Sequence, residues 1–364
     1  MTIDFQALAK SHIRNLIPYQ PGKPVEELER ELGITSSIKL ASNENPLGAS
    51  PKAITAAQQA LANAHIYPDG SYFELRTALA HFISVSPEQI IVGNGSENIL
   101  ELIIKSYVNK DDEAIISQYA FLTIPLLLQS YGAMIQAVPA KNWGHDTTAM
   151  LQQINKKTRI IFLVNPNNPT GTYINEDAFS HFLKSIPPHV LVVVDEAYSE
   201  YITNSDYPHV ITYLQQYPNL IITRTFSKVY GLAALRIGYS ISSPKIADIL
   251  NRARLPFNVN TIAAKAACAA IEDFDHVKES VHLNQQGMLQ LEEGFKKIAL
   301  SYIPSVGNFI AVNVGNGESI YQKLLQEGVI VRPLKAYHLP EFIRVTIGTA
   351  EQNERFLTAL GKVR

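Results

Sequence analysis

A single cysteine, Cys268, stands in the whole of this 364-residue chain. One cysteine excludes an internal disulfide and a thiolate metal cluster. It lies in "AAKAACAAIEDF", an alanine-rich helical pattern in which a small buried filler is the expected use. Charge of one sign is also missing. Thirty-one Lys and Arg face 33 Asp and Glu, a formal net charge of −2. That balance offers no basic excess for nucleic acid and no acidic tail. No apolar run approaches the roughly 20 residues of a membrane span. The first residues, "MTIDFQALAKSHIRNL", carry polar groups where a secretory leader needs an apolar core, so the expected setting is cytoplasmic. No His-x-x-x-His pair or carboxylate cluster has metal-ligand spacing, and no metal is expected. His145, in "NWGHD", has no companion that would make it a base, and Trp143 beside it is read as the anchor of a turn.

What is present is a repeating rhythm. Hydrophobic residues make up 46% and charged residues 18% of the chain, a globular composition long enough for two or three packed units. Residues 1 to about 18 show helical spacing. The prolines of "IPYQPGKP" then end the helix, leaving an arm with little core of its own that must lie on something else. After the irregular link "NENPLGASP", the segments "QIIVGN", "EAIIS", "AMIQAV", "TRIIFLVN", "HVLVVVDE" and "NLIITRT" read as strands, with helices such as "NEDAFSHFLKSI" between them. The last three strands are apolar on both faces. Strands buried on both sides and alternating with helices predict an α/β fold with a mainly parallel sheet covered by helices. From about residue 245 helices dominate, with one long helix over 275–299. The strands "GNFIAVNV", "GVIVRPL" and "FIRVTIG" and the helix "AEQNERFLTAL" then form a smaller mixed α/β unit. The expected division is an arm at 1–45, a large domain at 46–260, and an interdomain helix with a small C-terminal domain at 261–364.

The polar signals of the large unit follow its strands. "GNGSEN" follows "QIIV", "NPNNPTG" follows "RIIFLV", Asp195 ends "VLVVVDE", and "TFSK" follows "LIITR". Ligand crevices of open parallel sheets lie at these carboxyl ends, so Ser96, Asn168, Asp195 and Lys228 are expected to converge. Asp195 after five apolar residues is costly to bury without a cationic partner. Structural turns use Asp as well, so Asp195 alone leaves both readings open. "GNGSEN" opens a helix whose free N–H groups suit a phosphate, although a plain capped turn fits it equally. Thr225, Ser227 and Arg236 are further phosphate donors.

Taken together, "LASNENPLGASP", "YPDGSYFELRTALA", "NPNNPTG", "VVVDEAYSEY", "TFSKVYGLAALRIGY", "VRPL" and "IRVTIGTAEQNERFL" make the chain resemble, over nearly its whole length, the fold-type I pyridoxal-phosphate-dependent (class I/II) aminotransferases. Within them it is most similar to the histidinol-phosphate aminotransferases. The resemblance implies a large domain with a seven-stranded, mainly parallel sheet and pyridoxal 5'-phosphate as cofactor. It implies that Lys228 holds the cofactor covalently, that Asp195 pairs with its ring nitrogen, and that Asn168 and Tyr198 reach its phenolic oxygen. Tyr119 is implied to stack on the ring. Gly95, Ser96, Glu97, Thr225, Ser227 and Arg236 are implied to hold the phosphate, joined by Tyr67 from a second subunit. On the substrate side it implies Asn43, Arg344 for a carboxylate, Arg332 for a phosphate end, and Tyr19 arriving from the partner. One departure stands out: the usual Asp-Glu after "GNGS" is Glu97-Asn98 here.

The implied reaction moves an amino group from L-histidinol phosphate to 2-oxoglutarate, in histidine biosynthesis, in a homodimer with shared active sites. An aromatic amino acid aminotransferase and a threonine-phosphate decarboxylase share the cofactor motifs, because pocket shape separates these activities. Neither nucleic acid nor membrane is an expected partner.

Overall fold

The computed structural model describes residues 3–364; Met1 and Thr2, at the start of the arm, lie outside the described residues. Seven strands form the main sheet, in the order Ile90–Gly93, Gly238–Ser242, Leu220–Thr225, Leu191–Asp195, Thr158–Val164, Glu113–Ser117, Met134–Val138. Six of them are the segments whose β-rich apolar runs predict strands. The seventh, Gly238–Ser242, carries no such run. "GYSIS" places Ser240 and Ser242 in the core, and it pairs antiparallel with both of its neighbours. The five strands from Leu220–Thr225 to Met134–Val138 are mutually parallel.

The sheet is covered on both faces. Val192 and Val194 face one apolar cluster with Phe179 and Phe182, while Val193 faces another with Phe162 and Ile103. Alternate side chains of one strand thus enter different cores, which is why the central strands show no polar alternation. Each such fully buried Val or Ile contributes about 1.5–3 kcal/mol relative to exposure. Cys268, in the helix Thr261–Ile271, packs against the first cluster but is only partly buried. Burial nevertheless pushes its thiol up to about 11.

The predicted long helix runs over Phe274–Lys297. Beyond it lies a four-stranded antiparallel sheet, in the order Arg332–Pro333, Phe342–Thr346, Phe309–Asn313, Tyr302–Ile303. The segment after the arm joins this side of the molecule, because Ile38–Lys39 pairs in parallel with Val329–Ile330.

The arm departs from its predicted helix. It forms two single turns, Phe5–Leu8 and Ser11–Arg14. Segments this short are marginal helices unless an apolar face is packed, and here Phe5 is 76% exposed and Leu8 72% exposed. Helical periodicity with few buried apolar contacts has not produced a continuous helix.

Candidate active site

Strand register brings the polar ends of the main sheet into one row. Val164 pairs with Asp195, Asp195 with Thr223, and Thr225 with Gly238, which in turn pairs with Gly93. Segments more than 100 residues apart in sequence therefore share one rim. The rim borders a cleft enclosing about 820 Å³ of space open to solvent. Ser96, Glu97, Asn168, Asp195, Tyr198, Thr225, Ser227, Lys228 and Arg236 all line it, and Asn43, Tyr19, Arg332 and Arg344 line its other side.

Asp195 is 3% exposed. Its Oδ1 accepts a hydrogen bond from Thr223 Oγ1 at 3.0 Å. Burial is the main cause raising its pKa from 3.8 to about 6, against the Thr223 hydrogen bond. Lys228 donates from Nζ to the carbonyl of Ser42 at 3.0 Å and lies 5.7 Å from the centre of the Tyr198 ring. Burial, and then the positive charge of Arg344, lower its pKa from 10.5 to about 8. The loop carrying Lys228 is pressed against the link at 43–51. Gly231 has φ +69°, and a Cβ there would come within 2.1 Å of the Gly48 carbonyl oxygen, so glycine is required on both conformational and steric grounds.

Tyr198 is buried, its hydroxyl accepts from Asn43 Nδ2 at 2.9 Å, and desolvation holds its proton well above the ordinary range. Asn43 is itself held from two sides. Its backbone N–H donates to Thr346 Oγ1 at 2.9 Å, and its carbonyl accepts from Asn308 Nδ2 at 2.9 Å. Arg344 donates to Asn168 Oδ1 at 2.5 Å and to the Ala41 carbonyl at 2.7 Å. Among the described residues its buried Nε has no partner.

At the other end of the cleft, Gly95 (φ +82°) precedes the helix Ser96–Tyr107. A Cβ on Gly95 would sit 2.7 Å from Arg236 Nη2. The close approach leaves an N-terminal helix turn facing the guanidinium, with Thr225 and Ser227 buried nearby. Free N–H groups, two hydroxyls and a cation make a suitable cradle for a phosphate. A ring-bearing phosphate fits this cleft: the cradle lies at one end, and a buried carboxylate and a half-buried amine lie beyond it.

Neither Tyr119 nor Tyr67, the latter expected from a second subunit, lines this chain's own cleft. The Tyr119 ring stacks on Trp143 at 6.1 Å between centroids. Phe121, two residues on, is the aromatic of this segment that lines the cleft. The backbone turns between strand and helix here, so a two-residue offset decides which ring faces inward. Tyr67 is 79% exposed and stacks on Phe257 at 4.9 Å, away from its own chain's cleft. Tyr19, expected to arrive from a partner, lines the cleft of its own chain, with Arg332 over its ring at 5.1 Å. Trp143 does anchor its turn, with an edge contact to Phe342 at 5.4 Å. His145 is half-buried, with Nε2 2.9 Å from the Val164 carbonyl, and loss of solvent around the ring lowers its pKa to about 4. Neutral at physiological pH, it donates to the strand end rather than acting as a base.

Thr223, Thr346 and Asn308 were not predicted. Thr223 was legible in principle, since it precedes Thr225 by two in a strand and so points to the same face. Thr346 lies in the small sheet and Asn308 in the bend just before its strand Phe309–Asn313, and nothing in the sequence ties them to Asn43. No group of three or more His, Cys, Asp or Glu positioned to hold a metal occurs among the described residues.

The profile of the family "Aminotransferase class I and II" matches residues 35–360, and the chain belongs to that family. It is 53% identical to a histidinol-phosphate aminotransferase of Pseudomonas fluorescens, over 100% of this chain and 99% of that one. It is 51% identical to one of Nitrosococcus oceani, over 99% and 97%. The crystal structure of the Sinorhizobium meliloti histidinol-phosphate aminotransferase in complex with pyridoxal-5'-phosphate superposes with a TM-score of 0.89 at 27% identity, covering 98% of this chain and 97% of that one. Within its class, the chain falls among the histidinol-phosphate aminotransferases.

Proposed function

We propose that this chain is a pyridoxal-phosphate-dependent aminotransferase that converts L-histidinol phosphate and 2-oxoglutarate to 3-(imidazol-4-yl)-2-oxopropyl phosphate and L-glutamate. The observation that carries this reading is the shared cleft, with Lys228 and Asp195 on one wall and Arg332 and Arg344 on the other. When bound, pyridoxal phosphate supplies an electron sink for the charge left at the substrate Cα. Lys228 would hold its aldehyde carbon, and Asp195 its ring nitrogen. Asn168 and Tyr198 would hold the phenolic oxygen. Ser96 and Glu97, through their backbone, would hold the phosphate with Thr225, Ser227 and Arg236.

Lys228, with its pKa lowered to about 8, is suited to take a proton from the substrate Cα and return it at neutral pH. Asp195, dry and short of partners, gains most from a cationic N–H beside it and so keeps that proton in place. Arg344 has a buried Nε free for a carboxylate. Arg332 and Tyr19 offer a charge and a hydroxyl to the far end of the substrate. Arginines suit both the phosphate of one substrate and the carboxylate of the other.

The functional unit in this proposal is a homodimer in a cytoplasmic setting, with the division 1–45, 46–260 and 261–364. An apolar surface supports the dimer: the Tyr67–Phe257 stack is flanked in sequence by exposed Ile66 and Leu255. A partner seated there would bring its Tyr67 toward the phosphate cradle. Among the described residues, no helix is long and apolar enough to cross a membrane.

The deciding measurement is kcat/KM for histidinol phosphate against phenylalanine, with 2-oxoglutarate as acceptor. The proposal expects histidinol phosphate to lead by well over tenfold. Parity, or a lead for phenylalanine, would move the chain to the aromatic aminotransferases.

A further inference from the structure

Glu97 stands where the subgroup pattern has a shorter acid, and Asn98 where it has a second acid. Asn98 is absorbed by local structure: its Oδ1 accepts from the Asn94 N–H at 3.1 Å and from Asn258 Nδ2 at 3.2 Å. Glu97 is used differently. Its Oε2 accepts from Arg236 Nη2 at 3.1 Å, and its Oε1 accepts from Thr123 Oγ1 at 3.1 Å. Arg236 is further fixed by donation from Nη1 to the Ala233 carbonyl at 3.3 Å. Both Glu97 and Arg236 line the cleft. The carboxylate also acts at a distance, since its charge contributes to raising the pKa of Asp195 and opposes the lowering of that of Lys228.

We propose that the Glu97 side chain competes with the cofactor's phosphate for Arg236 and so weakens the site's hold on pyridoxal phosphate. The proposal rests on the cofactor reading above. A guanidinium already paired with one anion attracts a second less strongly, and a carboxylate beside the cradle repels a phosphate directly. The pair is partly exposed, with side-chain exposures of 42% and 48%, so solvent and salt limit the effect.

Glu97→Gln tests this with little change of shape. Its amide oxygen can accept from Arg236 while its amide nitrogen donates to the Thr123 hydroxyl, so the geometry is kept and the charge is lost. Cofactor affinity is read from the visible absorbance of the full chain titrated with pyridoxal phosphate, at low and high salt. The expected result is a Kd about threefold to tenfold lower in Glu97→Gln, with the gap narrowing as salt rises. Thr123→Val removes the tether and leaves the charge, so its Kd should stay near the parent value. An unchanged or higher Kd in Glu97→Gln would overturn the proposal. So would a salt-independent gap, or a Thr123→Val variant that matches Glu97→Gln. If the parent chain itself develops no band, the cofactor reading fails instead, and the two failures are distinct.

Discussion

The wall of the cleft supplied by the seven-stranded sheet is dry and tied down except at the Glu97–Arg236 pair on its rim, whereas the wall supplied by the arm and the edge strand Arg332–Pro333 of the small sheet is wetter and loosely held. Asp195, Tyr198, Thr225 and Ser227 are all buried. Tyr19 is about half exposed, and Arg332 is only partly buried, meeting Tyr19 through its ring face. Arg344 crosses the divide: it comes from the small sheet yet is buried and bonded to Asn168 on the large one. The difference matches two tasks. Groups that must hold a fixed protonation state need low dielectric and few alternatives. Groups that must accept first a phosphate and then a carboxylate gain from adjustable contacts. Mutations on the dry wall should therefore stop the chemistry, and mutations on the wet wall should change which substrate is preferred.

Lys228→Ala is the sharpest way to break that contrast. Turnover should fall by at least about 10⁴-fold, as for other groups that act as a unit with their neighbours. The visible band of the lysine-bound cofactor should vanish while circular dichroism stays native. Activity within tenfold of the parent would remove the chemical distinction between the walls.

Asp195 should come next. Asp195→Ala is expected to slow single-turnover conversion by about 10²–10³-fold, the range for loss of a preorganised electrostatic contact. The same group makes a stability prediction for the chain stripped of cofactor. Its folded pKa, about 6, lies above the ordinary 3.8. The folded state therefore binds the proton more tightly than the unfolded state, and the resulting stability is present below about pH 4 and lost as pH rises through 6. The shift corresponds to about 3 kcal/mol as an order of magnitude. Urea unfolding of the stripped chain at pH 4.5 and pH 7 (about these values, spanning the titration) should show part of this loss, and Asp195→Asn should flatten it.

The dry wall was the more legible part of the sequence, and for a physical reason. Strands buried on both faces leave long apolar runs, so a polar residue at the end of one is conspicuous, as with Asp195 after "VLVVV". Strand register then converts sequence position into spatial position with little freedom. The strand Gly238–Ser242 was harder to see because buried serines interrupt its apolar pattern. The wet wall was less legible. Whether Tyr119 or Phe121 faces the cleft depends on the backbone between strand and helix, and no periodicity governs that stretch. Whether Tyr19 arrives in its own chain's cleft depends on how an arm with few buried residues lies. The Asn43, Asn308 and Thr346 contacts join segments about 265 and 303 residues apart, and only the packed chain brings them together.

The smallest effects should sharpen the comparison rather than break it. Arg332→Ala removes a charged donor from the part of the cleft proposed to take the far end of the substrate. It should lower kcat/KM for histidinol phosphate by about tenfold or somewhat more, the worth of a hydrogen bond to a charged group, and should leave phenylalanine almost unaffected. Tyr19 acts on Arg332 through its ring at 5.1 Å. At a half-exposed site such a contact is worth about 0.5–1 kcal/mol, a change of about twofold to fivefold in rate. Tyr19→Phe keeps the ring and Tyr19→Ala deletes it. If the ring orients Arg332, only the alanine variant should reproduce a fraction of the Arg332→Ala loss, and combining the two should add almost nothing. If the hydroxyl meets the phosphate directly, Tyr19→Phe alone should show the loss. If both variants change phenylalanine and histidinol phosphate equally, Tyr19 belongs with the dry wall, and the division of the cleft by task fails at its edge.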